Sequence, residues 1–577
     1  MSNLISSVAW VRRGVAAQHP HKYVLDDKEL ERVSALAHIE LEDARTELKR
    51  AHEAAQKMGK GAEGDEADDA GDDDDEWVDL IEQNFDDPSE DSDAMDVDET
   101  SKPSEPPKEE DEMAKYKMDE YDDDTTAEPI GPFSNIKGLT YYKDNEDDPY
   151  ITLKEDDEAN EREELEVLPT DNLLVVAKTE DDISQLEIYV YEESEENLYV
   201  HHDLMLPNFP LCLEWLDFPP ASASTTPSND PTSSGFGNYI AVGTLDPEIE
   251  IWSLDIVDPM YPNSVLGRPD KTKEHVPIPL GTGKKKKKKT KARTVEKAYH
   301  VDAVLGLSWN KMQRNLLASA SADKTVKLWD LSRDPTIGDG GEGGAIRSFD
   351  VHKDKVQAVQ WNQKDPSVLL TGSYDRTVRT FDSRSPETGV GAFLGSDVEA
   401  LRWDPWQETN FYVSLENGLV LNFDVRTLPS NLDQPSQARF TLSAHDGATS
   451  AIDVNPHFKG CIATGGADKQ VKIWNIDEDS EGKPNVSLVT SRDLGVGKVF
   501  STTFSPDDPL TLAAAGSKAK LQIWDVGANF GARKAFGPKI RAAGRALRER
   551  EEKEGGSGGI IGVQSDDEDD EEDGGEE

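Results

Sequence analysis

Two series of residues advance along this chain in lockstep, and that register constrains its fold more than any other feature. One series closes short β-branched runs at Tyr189 (LEIYVY), Trp252 (IEIWSL), Trp329 (VKLWDL), Phe381 (VRTFDS), Phe423 (VLNFDV), Trp474 (VKIWNI) and Trp524 (LQIWDV). The other falls at Trp215, Trp309, Trp361 and Trp403 and continues through Val454 and Phe504. From Trp329 and from Trp309 alike, the steps are 52, 42, 51 and 50 residues. Unequal spacers that shift both markers together define one structural unit with loops of varying length. In the third unit three strand-length runs, VLGLSW, LLASASA and TVKLW, are separated by turn residues such as Ala322, Asp323 and Lys324.

Units of this size closing on W-D resemble WD-repeat blades, and seven of them predict an all-β, seven-bladed WD-repeat β-propeller over 131–527. In that family an Asp, His, Ser/Thr and Trp form a hydrogen-bonded chain within a blade. The third unit supplies His300, Ser319, Asp323 and Trp329, and the sixth supplies His445, Thr464, Asp468 and Trp474. The fourth keeps His352, Thr371 and Asp375 but ends in Phe381, which has no N–H to donate. The fifth and seventh lack the histidine, and the first two are recognisable by strand pattern and position. The histidines recur at the repeat period, so they fall on different blades instead of converging on one catalytic or metal site. No Gly-rich phosphate loop, nucleophile elbow or metal-ligand cluster occurs. Neither catalysis nor a cofactor, metal or small-molecule substrate is expected. Closure of the ring is assigned to PYITL at 149–153, as the outer strand of the last blade.

The formal charge of −55 is uneven. Residues 61–128, 144–166 and 566–577 carry −27, −10 and −10, so acidity belongs to tails and not to the repeats. No window approaches a membrane span, and the N-terminal charge order is the reverse of a secretory signal. Two cysteines, Cys212 and Cys461, stand in apolar runs and fit a reducing compartment.

The segments around the repeats divide into a 1–25 arm, a helix over 26–60, a disordered acidic tract over 61–130, disordered insertions at 219–235 and 255–298, and a basic extension with an acidic tail over 528–577. Leu30, Val33, Ala37, Leu41, Ala44 and Leu48 trace one face of the helix. The second insertion carries Lys284, Lys285, Lys286, Lys287, Lys288, Lys289, Lys291 and Arg293, a run suited to an import receptor or RNA phosphate. Trp10, Arg12, Arg13, Lys22 and Tyr23 in the arm suit base stacking and phosphate pairing, or equally a protein groove. Within the acidic tract Trp77, Leu80, Ile81 and Phe85 make one apolar helical edge, the form of a docking peptide. Past the repeats a helix is predicted from Pro538. There Arg533, Lys534, Lys539, Arg541, Arg545, Arg548 and Arg550 supply RNA or protein contacts. Ser565, before DDEDDEED, is a candidate phosphorylation site.

The in-phase tryptophans, WVRRG at 10–14, PHKY at 20–23 and LPTDNLLVVAKTEDD at 168–182 resemble the nucleolar periodic tryptophan proteins. The resemblance implies a non-catalytic nucleolar and nuclear ribosome biogenesis scaffold. Such a scaffold binds pre-ribosomal RNA with assembly factors or ribosomal proteins in early large-subunit (60S) precursors, and is needed for pre-rRNA processing. Two alternatives remain from the residues. One is a histone- or chromatin-binding protein, read from a propeller flanked by helices and acid tracts, its link to rRNA gene transcription being implied by the resemblance. The other is a substrate receptor of a cullin-RING ubiquitin ligase, since FDSR and FDVR place Arg384 and Arg426 in an aspartate-x-arginine pattern on consecutive units.

Overall fold

The computed structural model describes residues 3–23, 162–163, 165–181, 183–221, 236–268, 294–333, 344–432, 436–479, 483–545 and 559–563. Outside the described residues lie the 26–60 helix, the 61–130 tract with its docking peptide, the strand assigned to 149–153 and the lysine run ending at Arg293. Arg548, Arg550 and Ser565 lie outside them too.

Seven antiparallel four-stranded sheets form the blades of a β-propeller. In the third blade Val304–Trp309, Leu316–Ser321, Val326–Asp330 and Arg347–Phe349 follow one another outward from the axis. Both faces of a blade pack against neighbouring blades. The second strands therefore read as nearly continuous apolar and small runs, such as LLASAS and TLAAAG.

Closure differs from the sequence expectation at both ends. Leu4–Val11 is the innermost strand of the first blade, antiparallel to Asn172–Glu180 from Leu4 opposite Thr179 to Val11 opposite Leu173. The 1–25 segment is thus not a free arm. Ile5, Val8 and Trp10 are buried against Leu174, Val176 and Tyr191 of their own blade and Ala513, Ala515 and Ile523 of the last. His21–Lys22 then pairs in parallel with Ile256–Val257. The outer strand of the seventh blade is Ile560–Gly562, paired with Gln522 to Trp524 and anchored by buried Ile561. A further correction concerns the second insertion. Ser264–Leu266 lies within it, yet pairs with Ile251 to Ile249 as the outer strand of blade two, because Leu266 is buried in the seam with blade three.

The second tryptophan series marks the ends of the inner strands, and the residues on either side of it join blade to blade. The preceding residue accepts the next blade's backbone N–H. Glu214 accepts from Trp309 (3.0 Å), Ser308 from Trp361 (3.1 Å), Gln360 from Trp403 (2.6 Å) and Asp453 from Phe504 (2.8 Å). Across the closing seam Ser501 Oγ accepts from the Val8 N–H and Thr503 O from the Trp10 indole. The residue after the marker folds its own loop and reaches onward. Asn310, Asn362 and Asn455 each accept loop N–H groups through Oδ1, while Nδ2 donates to Pro366 O, Glu408 O and Pro509 O of the following blade. In blade five the position is Asp404, whose side chain has no N–H. There the Trp406 indole donates to Asn455 O instead.

Candidate interaction surfaces

The inner strands begin on one face of the propeller, here the upper, and end on the other, the lower. On the upper side of blade three a buried chain runs through four residues. Asp323 Oδ2 lies 2.9 Å from His300 Nδ1, His300 Nε2 lies 2.7 Å from Ser319 Oγ, and the Trp329 indole donates to that hydroxyl at 2.8 Å. The polarity that satisfies every member has Nδ1–H donating to the carboxylate and the Ser319 O–H donating to Nε2. Burial tends to raise the Asp323 carboxyl, but hydrogen bonds from His300 and Thr325 outweigh it and hold it at about 2. Blade six repeats the geometry through Asp468, His445, Thr464 and Trp474, each link at 2.9 Å. In blade four His352 spans Asp375 and Thr371, while Phe381 packs edge-on against Phe349 at 5.1 Å. These residues tie strands together and face one another, leaving no open acid, base and nucleophile set.

Blades one and two solve the same problem with a carboxylate that the sequence reading missed. Trp252 Nε1–H donates to Glu250 at 3.0 Å, and Tyr189 Oη–H donates to Glu187 at 2.6 Å. Residues two apart share a strand face, so the E-I-W and E-I-Y spellings carried the signal. Burial pushes the Glu250 carboxyl up, the Trp252 N–H opposes and Glu248 and Asp246 assist, leaving it at about 7. A folded value above the unfolded one gives a contribution that is full below about pH 4.3 and lost as pH rises through about 7. Glu250→Gln keeps an acceptor for the indole. Relative to the parent, it is expected to gain roughly 1–2 kcal/mol between pH 5 and pH 8 in chemical denaturation. A difference that does not change with pH would contradict this.

The arm residues separate in the structure. Trp10 is a core residue, so its assignment to base stacking is corrected. Arg13 is drawn into the closing seam, pairing with Asp508 at 2.7 Å and Glu193 at 2.9 Å. Arg12 is exposed, at the lower mouth of the central channel. Lys22 is exposed and Tyr23 donates its backbone N–H to Val257 O.

The C-terminal helix is also corrected. It spans Phe530–Ala542, opening eight residues before Pro538, because Asn529 caps it by accepting from the Gly531 and Ala532 N–H groups. Ala532, Phe536 and Ile540 bury against Phe458, Leu510 and Leu512 of blades six and seven. Docking consumes part of the basic set. Lys539 bonds Asn475 at 2.6 Å and Asp477 at 2.8 Å, and Arg545 donates to Asp507 O. Lys534 and Arg541 remain on the exposed side, and Arg533 is half-buried.

Also on the lower face, Arg384 and Arg426 pair with Asp382 and Asp424 of their own blades yet keep 74% and 73% of their side chains exposed. Residues from all seven inner strands, among them Trp10, Glu214, Gln360 and Asp453, line a cavity of about 370 Å³ at the lower end of the channel. Lys311, Arg402 and Arg12 meet there, a convergence hidden in the sequence because the three are spread over almost four hundred residues of chain. On the upper face, around Tyr374, burial and the charges of Glu416 and Asp397 raise the Glu399 carboxyl, and burial and the same carboxylates raise the Tyr374 phenol. Among the described residues no group of three or more His, Cys, Asp or Glu is placed to hold a metal, and no helix is long and apolar enough to cross a membrane.

The fold and its blade networks define a WD-repeat β-propeller, a scaffold class that is generally non-catalytic. The WD domain, G-beta repeat model matches residues 294–330, 343–382 and 436–475. Likeness extends well beyond those repeats. An uncharacterised WD repeat-containing protein of Schizosaccharomyces pombe is 40% identical over 93% of this chain and 92% of its own length. Periodic tryptophan protein 1 of Saccharomyces cerevisiae is 34% identical over 93% of this chain and 90% of its own. Its Drosophila melanogaster homolog is 28% identical over 93% and 96%. The chain belongs to this family of WD-repeat proteins, together with periodic tryptophan protein 1.

Proposed function

We propose that this protein is a nucleolar scaffold of early large-subunit precursor particles, holding pre-ribosomal RNA and assembly factors together during RNA processing. The observation that carries the reading is end-to-end similarity to periodic tryptophan protein 1, covering nine-tenths of both chains. Likeness confined to the repeats would fit any propeller. Here it takes in the segments on either side, and the structure gives both of them work. The first builds the inner strand of blade one, and the last docks a basic helix on blades six and seven. A rigid ring with faces of different charge suits a protein that joins RNA to other proteins, and RNA contact falls to its basic segments. The lysines at 284–289 and 291 with Arg293 and the exposed cations Lys534 and Arg541 are the proposed contacts, the lysine run also serving an import receptor.

Crosslinking in cells followed by sequencing of the attached RNA tests this. Enrichment of large-subunit precursor RNA, with particle proteins co-purifying, is the expected result. Recovery of histones without precursor RNA would replace the reading with the chromatin alternative. Recovery of a ligase adaptor, lost on charge reversal at Arg384 and Arg426, would replace it with the ubiquitin-ligase alternative.

A further inference from the structure

We propose that the lower mouth of the central channel is a phosphate-binding site for unpaired RNA, an inference that deepens the scaffold reading and rests on it. Three cations, Arg12, Lys311 and Arg402, come from blades one, three and five and line one cavity of about 370 Å³. Like charges gathered in a concave site repel one another, and the crowding is visible at Lys311. The walls of the mouth desolvate its ammonium and pull it below its ordinary value, Glu214 and Asp453 oppose, and Arg12 and Arg402 push it further down, while the rest of the side chain is exposed.

Two carboxylates share the mouth and offset part of this charge. Asp453 accepts from Arg402 Nε at 3.1 Å through one oxygen and from the Phe504 N–H through the other. Glu214 accepts from the Trp309 N–H, and its burial raises the carboxyl above its usual range. Among the described residues the Arg12 and Lys311 side chains make no hydrogen bond, although Glu214 and Asp453 attract the Lys311 ammonium through charge. The mouth thus holds unspent donors of two complementary kinds, a planar guanidinium fork and a compact ammonium, which together suit a phosphodiester.

Shape narrows the ligand. A cavity of this volume holds one small ligand group and excludes a duplex, so the phosphate must belong to a looped or unpaired segment. Bases flanking it meet apolar surface on the same face, where Met312 is 58% exposed and Trp406 is 41% exposed. The Trp406 N–H is occupied by Asn455 O, which fixes the ring and leaves the exposed part for stacking. A basic groove with an exposed aromatic beside it is the general pattern for single-strand binding. On the upper face Asp397 is paired with Arg376, and Glu399 and Glu416 beside it disfavour a phosphate there.

The test uses the full chain, an oligouridine of about 16 nucleotides and fluorescence anisotropy between about 50 and 200 mM salt. The lower-face pair Arg12→Gln/Lys311→Gln is compared with Lys353→Gln/Lys355→Gln, an equal charge change at exposed upper-face positions. The lower-face pair should weaken binding about tenfold and reduce the salt slope by about 1.4, the loss of two phosphate contacts. The upper-face pair should leave both within about twofold. Equal losses in the two pairs, or none in the lower one, would overturn the proposal. So would capture of an acidic peptide at the mouth with no change in oligouridine affinity. If the double variant loses its near-ultraviolet tryptophan signal, the single variants Arg12→Gln and Lys311→Gln, both at exposed positions, carry the test. Because the assay uses purified chain and a generic oligonucleotide, its failure leaves the precursor-particle reading standing. Absence of precursor RNA in cells would sink that reading and leave the assay intact.

Discussion

Removing residues 1 to 11 is expected to open the ring and abolish the cooperative fold. Four side chains of that strand, Ile5, Val8, Trp10 and Val11, are buried, at 0%, 5%, 8% and 0% exposure. Each contributes roughly 1.5–3 kcal/mol by burial, so their joint loss, about 6–12 kcal/mol, matches the whole net stability of an ordinary domain. Deletion also exposes the edge of Asn172–Glu180, a row of unpaired backbone groups. The truncated chain should aggregate or lose its near-ultraviolet tryptophan signal. A synthetic peptide of residues 1 to 23 should restore that signal by re-adding the strand. A truncated chain that stays soluble, with native spectrum and protease resistance, would show that the strand is dispensable.

The second large effect is local. Asp323 accepts from His300 Nδ1, from the Val301 and Thr325 N–H groups and from the Thr325 hydroxyl. Asp323→Ala leaves these buried donors without an acceptor, at about 1–3 kcal/mol for each that cannot find water. A total of about 3–5 kcal/mol is expected, comparable to breaking a buried pair. Trp329→Phe copies blade four, loses one hydrogen bond and should cost only about 1–2 kcal/mol. Because a ring of blades need not unfold in one step, hydrogen exchange in Leu316–Ser321 is the better readout. The carboxyl is held below its unfolded value, so its contribution is present above about pH 4 and is lost as pH falls through about 2. The gap between parent and Asp323→Ala should therefore be constant near neutrality and close in acid. Equal protection in parent and variant would mean that the network does not hold the blade.

Blade count was legible because both aromatic series mark fixed positions in every unit, and loop insertions cannot disturb a marker bound to a strand. The blade-three and blade-six chains were legible for a related reason, since their four residue types recur at matching offsets. Leu4–Val11 was not, because its partner lies some 160 residues away and no local pattern records a long-range pairing. Composition left Trp10 and Arg13 open between a nucleic-acid surface and a protein groove. An aromatic among arginines suits either, and the indole is a core residue while the guanidinium closes a seam against Asp508 and Glu193. Pro538 was misleading. It resembled a helix start, while the Asn529 cap sets the true one and Phe536 anchors the helix to blades six and seven. Asn310, Asn362 and Asn455 stood in plain view after the second marker, but their reach to the next blade appears only when the ring is assembled.

A scaffold within ribosomal precursors, the role proposed for this propeller, must travel with those particles. Sedimentation of cell extract through a density gradient in mild salt tests it most directly. The chain should travel with large-subunit precursors and move to lighter fractions after RNase treatment or raised salt. A chain found only at the top of the gradient under mild salt would contradict the account.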